Sequence, residues 1–284
     1  MVTTSLLDLN ADLHSHSTVS DGWHAPAEVV DRAVRNGVEL FALTDHDSVD
    51  GIEEAVAAAQ KLGLRFVAGV EISVSLFDQT VHIVGLGIDH RNDTLRKGLE
   101  QVRSGRGERA ERIAEALEAV GVPDALAGAQ RFVGNPELVS RAHFARHIVA
   151  CGLMPDVSTV FQHYLAEGKP GYVAHVWASL EDAVNWIRAA GGVAVIAHPA
   201  RYRFSPQQFD HLYERFVAAG GEAIEVVSGA HTESEVREFA EIAKRYGLLA
   251  SRGSDFHGEK ESRVDLGRCD PMPAGVDPVW RRLI

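Results

Sequence analysis

Two cysteines in 284 residues, Cys151 and Cys269, leave no material for a disulfide framework or a thiolate zinc knuckle. Basic residues are also scarce. The 28 Lys and Arg stand against 40 Asp and Glu, a net charge of −12, which argues against general affinity for the phosphate backbone of a long duplex. Any anion must therefore be held by a local arrangement. No stretch nears the roughly 18 consecutive apolar residues of a membrane span, and the opening MVTTSLLDLN lacks a basic segment followed by an apolar run. A cytoplasmic chain with no membrane contact and no evident protein partner is expected. What is plentiful is apolar content, 45%, enough to bury a sizeable core in one large α/β domain or in a domain carrying an insertion.

Short apolar runs at 10–13, 39–43, 65–71, 81–87, 193–197, 223–227 and 248–252 read as seven strands. Helical spacing fits between them at Pro26 to Asn36, Ile52 to Leu62, 180–190, 206–219 and 232–246. This alternation is the signature of strand-helix units around a parallel sheet or barrel. Residues 93–170 break the rhythm with helical spacing, much charge and no convincing strand. They are expected to form a helical insertion in a barrel domain made of 1–92 and 171–284.

Polar residues gather at the strand ends. In DLHSHSTVSDG, His14 and His16 project to one side of an extended segment, and Asp21 follows, so the three read as metal ligands. Asp45 and His46 follow the second strand, and Glu71 closes the third. His82 lies in the fourth, His198 follows the fifth, and Asp255 and His257 follow the seventh. In a parallel α/β barrel the C-terminal strand ends share one face, so these side chains are expected to converge there. Asp45 cannot share the direction of His46 in an extended chain, and supports the loop instead.

The motifs DLHSHS, TDHD, GVEIS, HIVGLG, RAHFARHIV, AHP and GSDFH, in that order, together resemble the PHP (polymerase and histidinol phosphatase) family, related to the amidohydrolases. The resemblance implies a distorted seven-stranded (β/α)7 barrel carrying two or three divalent ions for phosphoester hydrolysis. Mn2+ is the first choice, with Fe2+, Zn2+ or Mg2+ as alternatives. It implies a first metal on His14, His16, Glu71 and Asp255, a second on Glu71, His82 and His143, and a third on Asp21, His46 and His257. Three carboxylates against three divalent ions leave about +3, which attracts phosphate despite the acidic chain. His143 is preferred over His147, one helical turn away, as the ligand from the insertion. His198 is expected to act as general acid on the departing alkoxide.

Arg141, Lys169 and Arg201 are the expected phosphate contacts, with Ser140 and Asn135 as neutral donors. Trp177 and Tyr172 are more easily read as core or hinge residues than as base-stacking ones. His175, His211 and His231 are expected at the surface, and the helix ERAERIAEALEAVG as an ordinary amphipathic face. The substrate implied is a small nucleotide, a nucleoside 3′,5′-bisphosphate that loses its 3′-phosphate. The alternatives are 5′ to 3′ exonuclease action on short oligoribonucleotides, histidinol-phosphate hydrolysis, a non-catalytic nucleotide-binding module, and hydrolysis of a C–N bond.

Overall fold

The structure, a computed structural model, describes residues 9–284. The opening segment 1–8, on which part of the expectation about the N-terminus rests, lies outside the described residues. Seven strands form one sheet in sequence order: β1 (Ala11–Asp12), β2 (Leu40–Leu43), β3 (Arg65–Leu76), β4 (Gln79–Leu86), β5 (Val193–Ile196), β6 (Ala223–Ser228) and β7 (Leu249–Gly253). The ends of the sheet meet. Leu13 N donates to Arg252 O at 3.0 Å, and Ser15 bridges Phe256 in parallel. β7 runs so close to β1 that a Cβ on Gly253 would lie 2.3 Å from His14 Cβ, which fixes glycine there. The result is a nearly closed, distorted (β/α)7 barrel, as expected.

Helices α1 (Pro26–Arg35) and α2 (Ile52–Leu62) follow β1 and β2. Five α-helices lie within residues 93–170: α3 (Asp93–Ser104), α4 (Arg106–Glu118), α5 (Ala125–Gln130), α6 (Arg141–Ala150) and α7 (Val157–Val160). Three more, α8 (Leu180–Ala189), α9 (Pro206–Ala219) and α10 (Glu233–Tyr246), complete the layer. Capping explains several starts: Pro26 sits in the first turn of α1, and Ser205 with Gln208, and Thr232 with Glu235, form reciprocal capping boxes. The apolar faces of α1, α2, α3, α8, α9 and α10 pack with the sheet in one continuous core. A second apolar cluster, including Ile113, Leu117, Phe144 and Ile148, lies within the segment between β4 and β5.

The expected all-parallel arrangement gives way at one place. β4 pairs antiparallel with both β3 and β5, whereas every other pairing is parallel. The cause is the connection: only Phe77 and Asp78 separate β3 from β4, both at positive φ (50° and 59°), as in a two-residue hairpin turn. A parallel return needs a crossover of a dozen or more residues. β3 therefore runs past Glu71 to Leu76, and His82, paired opposite Ser73, enters the functional face from the early part of its strand.

Helix α3 docks on α8 through Gly98, where a Cβ would stand 2.3 Å from the Trp186 ring. Alanine in place of glycine favours a helix by about 1 kcal/mol, but overpacking costs roughly 1–3 kcal/mol. Gly98→Ala should therefore lower stability, read as a fall in the urea midpoint with unchanged m-value; a rise would show that the contact relaxes freely.

Candidate metal centre

Strand ends β1, β2, β5 and β7, together with the paired positions on β3 and β4, bring nine buried or half-buried imidazoles and carboxylates to one end of the barrel. Glu71, fully buried, is at the centre. Its Oε2 lies 3.3 Å from His14 Nε2 and 3.2 Å from His16 Nε2, and those nitrogens lie 3.5 and 3.2 Å from Asp255 Oδ1. Donor atoms on a tetrahedral ion with bonds of about 2.0–2.2 Å stand about 3.4 Å apart, so these four side chains have metal-cage spacing.

On the other carboxylate oxygen, Glu71 Oε1 lies 2.9 Å from His82 Nδ1 and 3.0 Å from His198 Nε2, with 3.3 Å between the two nitrogens. A third group surrounds Asp21, whose Oδ1 is 3.4 Å from His257 Nε2 and 3.8 Å from His46 Nε2. His46 also reaches Glu71, its Nδ1 2.9 Å from Oε2.

These groups fit divalent cations better than they fit one another. Glu71 Oε2 and Asp21 Oδ1 are buried and have no hydrogen-bond partner despite their imidazole neighbours. Burial pushes Glu71 towards neutrality, yet His46, His82 and His14 hold its pKa well below the usual carboxylate range. Burial pushes His16 down, but Asp255 and Glu71 raise it to about 10. A buried cluster that holds protons this tightly is a cluster short of positive charge.

Two differences from expectation stand out. His143 is not among the imidazoles around Glu71 and His82; His198 holds that place. His143 is the third residue of α6, and its Nδ1 accepts from Ser140 N at 2.9 Å, closing the helix cap. His198 is 2% exposed and its Nε2 faces Glu71, while burial followed by the Arg201 charge lowers its pKa to about 4. Both His198 and Asp255 hold positive φ, 27° and 55°, strain concentrated at the site. For His198 this departs from the extended backbone normally seen before proline.

Supporting contacts come partly from residues the sequence gave little reason to single out. Glu225, on β6, bonds His14 Nδ1 through Oε1 at 2.6 Å and accepts from His198 N through Oε2 at 2.6 Å. It orients one imidazole and anchors another. Its only sequence signal is a carboxylate inside the apolar run AIEVV. Asp45 takes Ser17 N, Ser17 Oγ and Ser20 Oγ, fixing the loop that presents His16 and Asp21.

The centre opens into a cavity of about 600 Å3 whose wall includes Arg106, Arg109, Arg141, Arg201 and Arg263. Arg201 Nη2 lies 2.5 Å from Asp255 Oδ2. Ser140 also lines the cavity and donates to Asp21 Oδ2 at 3.1 Å. Lys169 is exposed and away from this wall, and Asn135 is spent on capping, accepting from Glu137 N. Arg106 and Arg109 replace them. They lie three apart at the start of α4, on its buried side, so this helix is more than an amphipathic face. Their guanidinium carbons sit 4.7 and 5.3 Å from the Trp177 ring centroid. Burial, then Arg141 and Arg106, draw Arg109 down to about 9. His175 is wedged under Gly105 and against Trp177 rather than lying free at the surface.

The PHP domain family profile matches residues 12–244. The chain belongs to the PHP domain family. Over 96% of both chains it is 52% identical to a 3′,5′-nucleoside bisphosphate phosphatase of Chromobacterium violaceum. It is 41% identical to the 5′-3′ exoribonuclease Rnm of Escherichia coli, over 95% of this chain and 92% of that one. A solved amidohydrolase structure from Chromobacterium violaceum, with bound sulfate and no metal, superposes with a TM-score of 0.94 at 51% identity, covering 96% of this chain and 95% of that one. The chain is a hydrolase of phosphoesters, and the clustered imidazoles and carboxylates of its PHP barrel suit divalent ions. Among the described residues no helix is long and apolar enough to cross a membrane.

Two outcomes are expected. His198→Ala should lose bound metal while His143→Ala keeps it, measured by elemental analysis after gel filtration; the reverse pattern would return His143 to the second metal. Because His16 is protonated below about 10 without metal, ligation must expel its proton. Adding Mn2+ to the metal-free protein at pH 7 should release protons in a pH-stat, and metal affinity should fall as pH falls. Absence of proton release would contradict the charge balance described.

Proposed function

We propose that the chain hydrolyses the 3′-phosphate of nucleoside 3′,5′-bisphosphates, such as adenosine 3′,5′-bisphosphate, giving the 5′-monophosphate and phosphate. The observation that carries this is the sharing of one cavity by the metal-capable groups and a separate arginine wall. Two anion-attracting regions side by side suit a substrate with two phosphates. The name of the relative at 52% identity points the same way.

In this reading His14, His16, Glu71 and Asp255 hold one ion, Glu71, His82 and His198 a second, and Asp21, His46 and His257 a third. When bound, the ions supply an acidified water as nucleophile and neutralise charge on the phosphoryl oxygens. A water oxygen bonds to phosphorus as the P–O3′ bond breaks, and the 3′-oxygen leaves with the proton that the attacking water gives up. Arg201, beside Asp255, meets the 3′-phosphate, and Arg106, Arg109 and Arg141 meet the 5′-phosphate with planar forks of donors. The Trp177 ring steadies two of those guanidinium groups. Glu225 and Asp45 hold the imidazoles and the ligand loop in place.

The same centre could act on an internucleotide linkage, and the second reading is 5′ to 3′ trimming of short oligoribonucleotides. The relative at 41% identity and a neighbouring aromatic cavity favour keeping it. Histidinol phosphate suits the wall poorly, since its amine would face arginines.

The first experiment is phosphate release by the Mn2+-loaded protein from adenosine 3′,5′-bisphosphate, AMP and a 5′-phosphorylated tetranucleotide at equal concentration. Preference for the bisphosphate with AMP as product is expected; mononucleotides released stepwise from the tetramer as the faster reaction would make the exonuclease reading the principal one. Arg109→Ala should raise KM for the bisphosphate roughly tenfold, as for loss of a charge-assisted hydrogen bond, and leave an aryl phosphate nearly unchanged. Equal effects on both substrates would remove the second anion region from the account.

A further inference from the structure

A second cavity, of about 430 Å3, lies between α9 and α10 and shares Ala200 and Glu235 with the cavity at the candidate metal centre. Five of its twelve lining residues are aromatic. Four of these form a continuous series that begins at the metal centre: His198 to Tyr202 at 5.8 Å between centroids, Tyr202 to Phe204 at 5.7 Å, Phe204 to Phe209 at 5.4 Å, and Phe209 to Tyr213, stacked, at 5.9 Å.

One polar atom in that wall is unaccounted for by the fold. Tyr213 is 2% exposed, yet its Oη has no hydrogen-bond partner. Tyr202, by contrast, donates to Ala197 O at 2.8 Å and accepts from His82 N at 3.0 Å. A buried hydroxyl left unpaired is costly and uncommon, and Tyr213 is one of the residues that line this cavity. The surrounding polar groups are mostly acidic, Asp210, Glu235 and Glu238 against Arg245. Such a rim repels phosphate and accepts N–H donors. A flat apolar body with amino groups at its edge matches all three features, which is the chemistry of a nucleobase.

We propose that this cavity is a nucleobase subsite, taking the base of the nucleotide that follows the scissile phosphate when the substrate is a 5′-phosphorylated dinucleotide or longer. The inference rests on the phosphoesterase reading above. The arginines of the α4 and α6 side hold the first nucleotide's 5′-phosphate, the metal groups hold the phosphate being cleaved, and the rings beyond Ala200 hold the next base. A nucleoside bisphosphate ends at the scissile phosphate and does not reach the rings.

The test compares KM for adenosine 3′,5′-bisphosphate and for 5′-phosphorylated diadenylate in the native protein and in Phe209→Ala, Tyr213→Phe and Glu238→Gln. Phe209→Ala should raise KM for the dinucleotide about tenfold, the loss typical of one base-aromatic stack, and leave the bisphosphate within about twofold. Tyr213→Phe, which keeps the packing, should weaken the dinucleotide severalfold through the hydroxyl alone. Equal effects on both substrates, or none on either, would overturn the subsite. A second readout avoids turnover: calorimetric titration with a diadenylate bridged by a non-hydrolysable phosphonate. About tenfold tighter binding by the native protein than by Phe209→Ala supports the subsite even if neither nucleotide is hydrolysed, an outcome that would count against the proposed reaction alone. Identical binding to the two proteins refutes it.

Discussion

A carboxylate buried to zero exposure at the centre of a barrel is the constraint around which the other parts are arranged. Glu71 serves two sets of imidazoles, one on each oxygen, and an unpaired charge there would be unsustainable. The solution is to bring cation ligands from nearly every strand. The supporting contacts follow from the same need: Glu225 fixes His14, Asp45 ties down the loop that carries His16 and Asp21, and the two strained residues His198 and Asp255 are held by their surroundings. Without positive charge the site holds protons in its place, which is why His16 titrates so high.

The inverted strand is part of this solution. Because β4 returns directly after Phe77 and Asp78, positions Glu71 and His82 fall on adjacent strands near the same level, with Ser73 opposite His82. A parallel β4 would have needed a long crossover and would have offered only its C-terminal end to the site. The hairpin instead places an imidazole from early in β4 beside a carboxylate from the middle of β3. Antiparallel pairing with β5 then sets His82 beside His198, which follows that strand.

Strand positions were legible because buried strands leave short apolar runs, and the helices because of their helical spacing, with Pro26 at one start and Gly63 at one end. The hairpin was hidden, since Phe77-Asp78 lacks the Asn-Gly or Asp-Gly signature of such turns. Convergence of the strand-end residues followed from barrel geometry alone. Which imidazole stands beside Glu71 and His82 did not, because it depends on where α6 lies relative to the barrel, and nothing in RAHFARHIV or AHP reports that distance. Arg106 and Arg109 escaped for a different reason. Long guanidinium side chains on the apolar side of a helix look in sequence like ordinary flanking charge, and only packing shows their heads drawn inward to Trp177.

The chain's net charge of −12 and its anion-attracting cavity are compatible because electrostatics here is decided by distance and burial. Exposed carboxylates more than about 8–10 Å away are screened by salt, whereas the arginines of the cavity wall act at contact in a partly desolvated space. Some of the carboxylates are moreover paired with arginines, as in Arg32 with Asp265 and Arg215 with Glu181. The arginine wall, by contrast, is packed closely enough that burial and like charge destabilise its protonated form at Arg109. An incoming phosphate relieves that repulsion. On the proposed reading, the cost of assembling the cations is borne by the fold in advance and recovered when a phosphate binds, which would favour a small phosphorylated substrate over the backbone of a long nucleic acid.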